Sequence, residues 1–429
     1  AGRDRPGVSG LYADDADLQF LLCNQPAVFR QGLRLCGRVA HSVARRAPGQ
    51  AGHRAGRRNR ADGAGVPAAA HSLWRGNGGR GGLLCALAAG NPVHPGHSGG
   101  DYHAFVLCAH SRQRIVDIVP HENTATFEKM QVEHFFERTR AFIKIEDGCN
   151  RFCSYCIIPY ARGRVRSKPL EELREEVAQI AANGYREIVL TGINLSAYGQ
   201  ELGLHLCDAV ETACGPDGIA RVRLGSLEPE QLSADVIARL AKQKKLCPQF
   251  HLSLQSGCDA TLRRMNRHYT TAEYRTIVQN LRTAFPDCSI TTDIMVGFPG
   301  ETEEEFSQSL AFAREIGFAK AHVFAYSRRP GTRANDAPHQ ITQRVKEERS
   351  RQMIAVTQQT KEAFFEKQLG CIAPVLFEQE TAVNVYDGYT ANYTPVRVSS
   401  AKDLRGQILP VRLTEADRDC CYGKLTEGI

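Results

Sequence analysis

Residues 147–156 read DGCNRFCSYC and follow directly after the apolar stretch 141–146, which has the pattern of a β-strand. The three cysteines of this loop, Cys149, Cys153 and Cys156, are spaced C-x3-C-x2-C. Thiolates bind soft metals and iron–sulfur clusters, and placement in one loop lets three sulfurs converge on one site. Three thiolates would leave one iron of a cubane cluster open for a substrate or a cofactor. Zinc is the alternative, although structural zinc takes four ligands and no obvious fourth Cys or His lies beside this loop.

From residue 141 onward, apolar β-rich stretches alternate with helical patterns, which is typical of βα units around a mainly parallel sheet. The predicted strands are residues 141–146, 187–191, 221–224, 250–254, 290–296 and 322–326. The predicted helices between them are residues 169–182, 229–242, 271–285 and 302–316. Six βα repeats are too few for a closed eight-stranded barrel. We therefore expect an α/β fold, an open partial (β/α)6 barrel with its chemistry at the carboxyl ends of the strands.

A second pattern follows a helical, charge-rich stretch at residues 341–369. Short strand candidates separated by Gly, Asn, Asp and Pro lie at residues 375–377, 383–386, 396–398, 408–413 and 422–425. This pattern predicts a small all-β barrel, a fold that often binds oligonucleotides. The expected organisation is an atypical segment at 1–105, a linker at 106–138, the βα core at 139–369 and the small barrel at 370–429.

The first hundred residues differ sharply in composition from the rest of the chain. They hold 13 Arg, five Asp, no Lys and no Glu, a net charge of +8, whereas residues 101–429 sum to −1. Gly, Ala and Arg supply 49 of them, and Ile, Glu, Thr, Lys and Met are absent from the first 114 positions. We hypothesise that much of residues 1–105 is GC-rich coding DNA read in a shifted frame. An Arg-rich, disordered RNA-binding arm is the alternative.

The overall composition is that of a globular protein: 429 residues, 42% hydrophobic and 24% charged. No apolar run approaches the 18 or so residues that a membrane span needs, and no signal-peptide pattern is visible. Fifteen cysteines without a disulfide-like framework indicate a reducing compartment. We expect a cytoplasmic monomer with no membrane partner.

The cysteine loop and its continuation to Ser167 resemble the radical S-adenosylmethionine (SAM) methylthiotransferases. Further motifs follow in order: LTGIN at 190–194, GSLEP at 225–229, QSG at 255–257, RRMNR at 263–267, DIMVGFPGET at 293–302, YS at 326–327 and GT at 331–332. The resemblance runs from Glu133 to the C-terminus, and the small barrel is similar to the family's TRAM domain. TGIN at 191–194, PYARG at 159–163 and GYTANY at 388–393 are most similar to the branch that acts on N6-threonylcarbamoyladenosine at position 37 of tRNA.

The resemblance implies that Cys149, Cys153 and Cys156 hold a [4Fe–4S] cluster whose fourth iron binds the amino and carboxylate groups of SAM. Reduction would then cleave the sulfonium to a 5′-deoxyadenosyl radical, which abstracts hydrogen from C2 of the modified adenine before a methylthio group is inserted. It implies cofactor contacts from Gly192, Asn194, Ser226, Glu228, Gln255, Ser256 and Gly297. An ordinary strand-end turn is the alternative for Gly192. Arg264 either faces the cofactor carboxylate or is a solvated helix residue.

The expected partners are a tRNA anticodon stem-loop and an electron donor such as a flavodoxin or a ferredoxin. In the small barrel, phosphate or stacking contacts are expected from Tyr393, Arg397, Lys402 and Arg405. Beside the cysteine loop, a denser basic run is expected to contact the anticodon loop: Arg162, Arg164, Arg166 and Lys168. A solvated or salt-bridged surface is the alternative for both groups.

The chain departs from the family at its start. Members normally begin with a domain whose three widely spaced cysteines hold a second [4Fe–4S] cluster, which is involved in sulfur delivery. Cysteines are present here at other spacings and in other contexts, and we assign no ligand role to Cys23, Cys36, Cys85 or Cys108. The alternatives to a threonylcarbamoyladenosine tRNA methylthiotransferase are therefore an inactive RNA-binding product without the second cluster, an enzyme of the isopentenyladenosine or ribosomal-protein branch, and a zinc-binding scaffold.

Overall fold

The computed structural model of the protein describes residues 126–128 and 139–426. These residues belong to one compact unit, His121–Ile429. The predictions for residues 1–105, with both explanations of their composition, and the question of a second cluster lie outside the described residues. The domain boundaries expected at residues 105, 138 and 370 stay predictions.

Parallel strands in chain order form the first half of the described chain. The strands before residue 326 are β1 (Arg140–Lys144), β2 (Glu146–Asp147), β3 (Arg166–Ser167), β4 (Glu187–Thr191), β5 (Arg221–Leu224), β6 (Ser226–Leu227), β7 (Gln249–Leu252), β8 (Ser289–Val296) and β9 (Lys320–Ala325). One parallel sheet has the order β1-β4-β5 and a second the order β6-β7-β8-β9. Only Gly225 separates β5 from β6. These two strands together occupy the place of the third of the six predicted strands, and the chain passes there from the first sheet to the second. Strands β2 and β3 pair antiparallel and bring the two ends of the cysteine loop together.

Helices alternate with these strands, as the sequence predicts. They are α1 (Ile158–Ala161), α2 (Leu170–Ala182), α3 (Leu206–Cys214), α4 (Ala234–Leu240), α5 (Asp259–Arg264), α6 (Thr271–Ala284), α7 (Glu303–Ile316) and α8 (Gln343–Gln368). Single turns of 3-10 helix lie at Leu195–Ala197, Gln200–Leu202, Pro229–Gln231 and Arg333–Asn335. Capping boxes begin α6 at Thr270 and α7 at Thr302. Each of these helices packs a stripe of apolar side chains against the strands. Within the described part of the chain, no helix is both long enough and apolar enough to cross a membrane.

Several element predictions need correction. The helix expected at 229–242 is a 3-10 turn followed by α4, because Ser233 caps a new helix by accepting a hydrogen bond from the Val236 amide. Helices α3 and α5 were not predicted: both are short, and α3 contains two Cys and a Thr, which are poor helix formers. The strand expected at 383–386 begins instead at Val385, after a tight turn in which Asn384 has a φ of 61°.

The predicted small all-β barrel is confirmed. Its strands are β10 (Ile372–Ala382), β11 (Val385–Thr390), β12 (Pro395–Ser399), β13 (Ile408–Ala416) and β14 (Cys421–Leu425). They close in the order β10-β11-β12-β14-β13 around alternating inward side chains such as Val375, Phe377, Val396 and Val411. Phe365, from the last turns of α8, belongs to the same core. The long helix therefore ties the barrel to the βα region.

Buried charge joins the barrel to the amino ends of the parallel strands. The carboxylate of Glu187 lies 2.9 Å from the Arg223 Nε atom and 3.3 Å from an Arg221 nitrogen, and Arg140 is 3.9 Å away. Arg221 donates to the Tyr389 carbonyl of the barrel at 3.1 Å, and Arg223 to the Ala391 carbonyl at 3.1 Å. This contact lies at the opposite strand ends from the cysteine loop, so it orients the barrel without occupying the candidate site.

Candidate metal centre

The cysteine loop lies between β2 and α1, directly beyond the carboxyl end of β1. Cys149, Cys153 and Cys156 are free thiols that are each partly exposed. The loop begins with Gly148, whose φ is 84°, and a Cβ atom there would lie 2.0 Å from the Arg164 carbonyl oxygen. Only glycine fits this turn, in which the Cys149 amide donates to the Gly163 carbonyl at 3.1 Å. The sequence therefore folds the loop back against its own continuation.

The environment of two of the thiols, those of Cys149 and Cys156, favours their neutral form. Burial raises the pKa of Cys149 to about 12 and that of Cys156 to about 11, and the neighbouring thiols add to both shifts. A metal or a cluster must displace these protons when it binds.

The geometry of the three thiols bears on which group they can hold. Among the described residues, no three or more His, Cys, Asp or Glu side chains converge closely enough to hold one metal ion. A cubane cluster, in contrast, spreads three thiolates over three different irons, and three separate thiols on one loop fit that arrangement.

Residues 264–267, more than a hundred positions further along the chain, hold the cysteine loop by hydrogen bonds. The Ser154 amide donates to the Met265 carbonyl at 2.9 Å, and the Ser154 hydroxyl to the Arg264 carbonyl at 2.8 Å. The Asn266 Nδ2 atom donates to the Phe152 carbonyl at 3.1 Å. The next residue, Arg267, donates from Nη1 to the Cys153 sulfur at 3.4 Å. The motif RRMNR at 263–267 marks this segment in the sequence. The sequence alone does not reveal that Asn266 and Arg267 contact the cysteine loop.

A buried carboxyl group that the sequence analysis did not single out lies under the strand end of β4. Glu146 is fully buried, and its Oε2 atom accepts a hydrogen bond from the Asn194 amide at 2.7 Å. Burial raises the pKa of this carboxyl to about 8, and the adjacent Asp147 adds to the rise. A Cβ atom on Gly192 would lie 2.7 Å from the same Oε2 atom. The glycine of the TGIN motif therefore makes room for Glu146, which supports the strand-end-turn alternative for Gly192.

Two of the predicted cofactor residues present buried polar atoms that need a partner. Asn194 donates from Nδ2 toward the Cys149 sulfur at 3.8 Å, so the structure brings this residue to the cysteine loop. Its Oδ1 atom is buried and has no hydrogen-bond partner among the described residues, and the same is true of Gln255 Oε1. Gln255 has a φ of 64° and bridges to Ile294 of β8. Orphaned buried polar atoms at strand ends fit a site that a polar ligand completes.

The other predicted cofactor residues have partners within the protein. Ser226 and Ser253 share a hydroxyl–hydroxyl hydrogen bond of 2.9 Å, and the Ser256 hydroxyl accepts from the Cys258 amide at 3.3 Å. Glu228 forms an ion pair with Arg267, and burial raises the pKa of Glu228 against the opposing effect of that pair.

Gly297 and Arg264 are likewise engaged inside the protein. Gly297, with a φ of 68°, packs against Lys346 and donates its amide to Glu301 at 2.7 Å. Arg264 binds Glu305 and Thr261, which supports the helix-residue alternative.

The basic run beside the loop divides into exposed and buried members. Arg162 and Arg164 are exposed, and the guanidinium of Arg164 lies 4.8 Å from the ring centre of Phe152. The prediction that Arg166 and Lys168 contact RNA is wrong for this structure. Both are buried: Arg166 donates to the Arg162 and Arg164 carbonyls, and Lys168 pairs with Glu176.

In the small barrel, the residues predicted to bind RNA are mostly held by internal contacts. Tyr393 stacks on Tyr389 with ring centres 4.5 Å apart, beneath Arg140 and Arg223, and so belongs to the junction with the sheet. Arg397 forms a two-pronged ion pair with Asp387, and Arg405 one with Asp403. Lys402 is exposed. Their contacts with RNA stay predictions.

Comparison with known proteins places this site in a family context. The model of the family described as "Radical SAM superfamily" matches residues 143–313. The threonylcarbamoyladenosine tRNA methylthiotransferase MtaB of Thermotoga maritima is 36% identical over 315 residues, which are 72% of this chain and 72% of that protein. The protein of the same name from Bacillus subtilis is 37% identical over 298 residues, 68% of this chain and 66% of its own.

A relative whose name gives a different substrate is equally similar. The tRNA-2-methylthio-N(6)-dimethylallyladenosine synthase of Caldicellulosiruptor saccharolyticus is 38% identical over 292 residues, 67% of this chain and 62% of that protein. The chain thus spans less than two thirds of the length of this relative and of the one from Bacillus subtilis. Identity alone does not separate the two substrate classes.

Proposed function

Because the chain belongs to the radical SAM methylthiotransferase family, we propose that it adds a methylthio group to C2 of N6-threonylcarbamoyladenosine at position 37 of tRNA. The observation that carries the proposal is the three-thiol loop at the carboxyl end of β1, with the orphaned amide oxygens of Asn194 and Gln255 beyond the carboxyl ends of β4 and β7. Active sites of parallel βα folds lie at this end of the strands. We also propose that the two sheets together are the family's open partial barrel and that the five-stranded barrel is TRAM-like.

The residues present fit a [4Fe–4S] cluster and SAM. Cys149, Cys153 and Cys156 would hold the cluster, and Asn194 and Gln255 would complete the hydrogen bonding of the polar groups of SAM. When bound, the two groups supply one-electron cleavage of the sulfonium and the radical that abstracts hydrogen from C2 of the adenine.

The remaining predicted residues support this site from behind. Glu228, Ser226, Ser256 and Gly297 are assigned to positioning because each has a partner within the protein. Their contacts fix the strand ends from which the substrate-facing groups project.

An exposed aromatic and basic patch beside the cysteine loop provides a surface for the RNA. Tyr160 is 60% exposed, so its ring is accessible to a partner. It meets Phe152 edge to face at 5.5 Å, and Arg162 and Arg164 extend the same surface. Rings on which bases stack, next to cations that neutralise phosphate, are the usual means of binding single-stranded RNA. A patch so close to the cysteines would place a nucleotide of the anticodon loop at the site.

The choice of substrate branch rests on two segments. PYARG at 159–163 contributes Tyr160 and Arg162 to this patch, and TGIN at 191–194 lies over Glu146 beside Cys149. The third supporting segment, GYTANY at 388–393, is engaged at the junction of barrel and sheet, where a Cβ on Gly388 would lie 2.4 Å from the Leu376 carbonyl oxygen. Its sequence is explained by packing and adds little to the choice of substrate.

Nucleoside analysis of tRNA tests the proposal. The chain is expressed in a bacterial strain that lacks its own tRNA methylthiotransferases, with the C149A variant as control. We expect 2-methylthio-threonylcarbamoyladenosine with the wild type and none with C149A. Methylthiolation of the isopentenyladenosine site alone would overturn the branch. Absence of both products from a stable, iron-loaded protein would favour the inactive RNA-binding alternative.

A further inference from the structure

Arg267 is a buried cation placed between a cluster cysteine and a carboxylate. Its side chain is 4% exposed. The Nη1 atom donates to the Cys153 sulfur at 3.4 Å, while Nη2 donates to Glu228 and, at 3.2 Å, to the Ser253 carbonyl. Tyr269 closes the far side with its ring centre 5.1 Å from the guanidinium. The guanidinium is therefore held by a sulfur, a carboxylate, a backbone carbonyl and an aromatic ring.

The position of Arg267 relative to the cysteine loop is also fixed through the backbone. The three residues before it bind the loop at Phe152 and Ser154, as described above. The other hydrogen bonds to the cysteine sulfurs are longer and have uncharged donors. The side-chain Nδ2 atom of Asn194 lies 3.8 Å from the Cys149 sulfur, and the backbone amide of Arg151 lies 3.5 Å from the same sulfur. Among the described residues, the charged side chain that donates to one of the three sulfurs is Arg267, and its acceptor is Cys153. The three thiols thus have unequal surroundings.

The consequence for a bound cluster follows from electrostatics. Hydrogen bonds to the cysteine sulfurs and nearby charge are among the factors that set the reduction potential of an iron–sulfur cluster. Reduction adds one electron, and a cation held at a sulfur in a poorly solvated site stabilises the added negative charge. Glu228 opposes this effect because its carboxylate binds the other terminal nitrogen of the same guanidinium. The net effect favours reduction since Arg267, and not Glu228, contacts the sulfur.

We infer that Arg267 is a positioning residue that raises the reduction potential of the cluster through Cys153, and that Glu228 sets the size of the effect. The inference rests on the cluster of the proposed function. It concerns the step in which an external reductant passes one electron to the oxidised cluster. No covalent bond is made or broken in this step. It assigns Glu228 a role different from direct contact with SAM.

A potentiometric titration followed by electron paramagnetic resonance tests the inference. The reconstituted full chain is titrated with dithionite in the absence of SAM, so that a role in SAM binding cannot move the midpoint. For R267Q we expect the ratio of reduced to oxidised cluster at a fixed potential to fall about tenfold, a shift of about 59 mV for one electron. For E228Q we expect a shift in the opposite direction. The matched control is R151Q, because Arg151 lies in the same loop and pairs with Glu230 through its guanidinium.

Because R267Q leaves Glu228 buried without its partner, the double variant R267Q/E228Q is measured as well. It removes both charges, and we expect its midpoint to stay below that of the wild type. Full iron content in R267Q and in the double variant, with midpoints equal to the wild type, would overturn the inference and leave the proposed function intact. A wild-type chain that assembles no cluster would overturn both.

Discussion

At the scale of single residues, Glu146 and Glu187 show how the surroundings decide the charge of a buried carboxyl. Glu187 lies among three guanidinium groups, which hold its pKa below the usual range in spite of burial. Glu146 faces backbone amides and the acidic Asp147, and its pKa rises to about 8. A neutral Glu146 can accept the Asn194 amide on one oxygen and donate from the other. It therefore supports the strand end beside the cysteines without adding negative charge there.

This difference predicts a pH dependence of stability for Glu146. Its folded pKa is above the unfolded value of about 4.3, so its favourable contribution is complete at low pH and is lost as the pH rises toward 8. Gln cannot ionise and keeps the hydrogen bond from Asn194. Relative to E146Q, we expect the wild type to lose up to roughly 1.4 kcal/mol of unfolding free energy per pH unit between pH 5 and 8.

Urea unfolding of both proteins across this pH range measures the difference. The control is E175Q, on the exposed face of α2, which should follow the wild type at every pH. Parallel curves for the wild type and E146Q would contradict the assignment of a neutral, buried Glu146.

At the scale of elements, the loop that precedes α1 and the helix itself carry both the cysteines and an exposed aromatic ring. The cysteines lie on one part of this segment and the exposed ring of Tyr160 on another. Tyr160 has little to do with folding because most of its surface is in solvent. We expect Y160A to weaken binding of an anticodon stem-loop about tenfold, since stacking of a base on an aromatic ring contributes about 1–3 kcal/mol.

Fluorescence anisotropy with a labelled stem-loop at one fixed salt concentration measures this affinity. The matched control is I354A, which removes another exposed apolar side chain, 52% exposed, from the long helix α8. Equal losses of affinity in the two variants would contradict a specific role for Tyr160.

Periodicity and turn signals predict most of the elements, and the exceptions have physical reasons. Strand β4 contains the apolar run at residues 188–190, β8 is rich in Ile, Thr and Val, and α6 and α7 begin with capping boxes that are visible in the sequence. The nine-residue helix α3 was not predicted because its cap is His205, an uncommon capping residue, and its stability comes from burial of Leu206, Val210 and Ala213. Tertiary packing supplies what the local sequence lacks.

The candidate site is only partly predictable for a similar reason. The spacing of the cysteines points to a cluster, because it is a local pattern within eight residues. The contact between Arg267 and Cys153 joins positions 114 residues apart, and no local pattern reports it. The same holds for Lys168 and Tyr393, which the sequence presents as free to bind RNA and the structure holds beside Glu176 and Tyr389.

At the scale of the whole molecule, Glu187 is the counter-charge that allows three arginines to join sheet and barrel. Arg221 and Arg223 reach barrel carbonyls while their charge is balanced by this carboxylate. Removing one partner from a buried ionic group leaves charge without compensation, which typically costs about 3–5 kcal/mol. For E187Q we expect a loss of about 3 kcal/mol in the free energy of unfolding at pH 7. The difference should shrink as the pH falls below the unfolded value of about 4.3, toward the lowered pKa at which Glu187 itself becomes protonated in the folded protein.

The midpoint of urea unfolding measures this loss, and hydrogen exchange locates it. A matched control is D387N, which removes the carboxylate of a partly exposed pair with Arg397 and should cost no more than about 1 kcal/mol. Faster exchange in the barrel of E187Q, but not of D387N, would show that Glu187 joins the two parts. If E187Q cost no more than D387N, the junction would have to depend on other contacts.

The formation of 5′-deoxyadenosine tests the central claim most directly, namely that three thiolates on one strand-end loop hold an open cluster that cleaves SAM. The reconstituted chain is reduced with dithionite, supplied with SAM and compared with C149A/C153A/C156A. We expect 5′-deoxyadenosine from the wild type and none from the triple variant. A reduced, iron-loaded wild-type protein that forms no 5′-deoxyadenosine would contradict it.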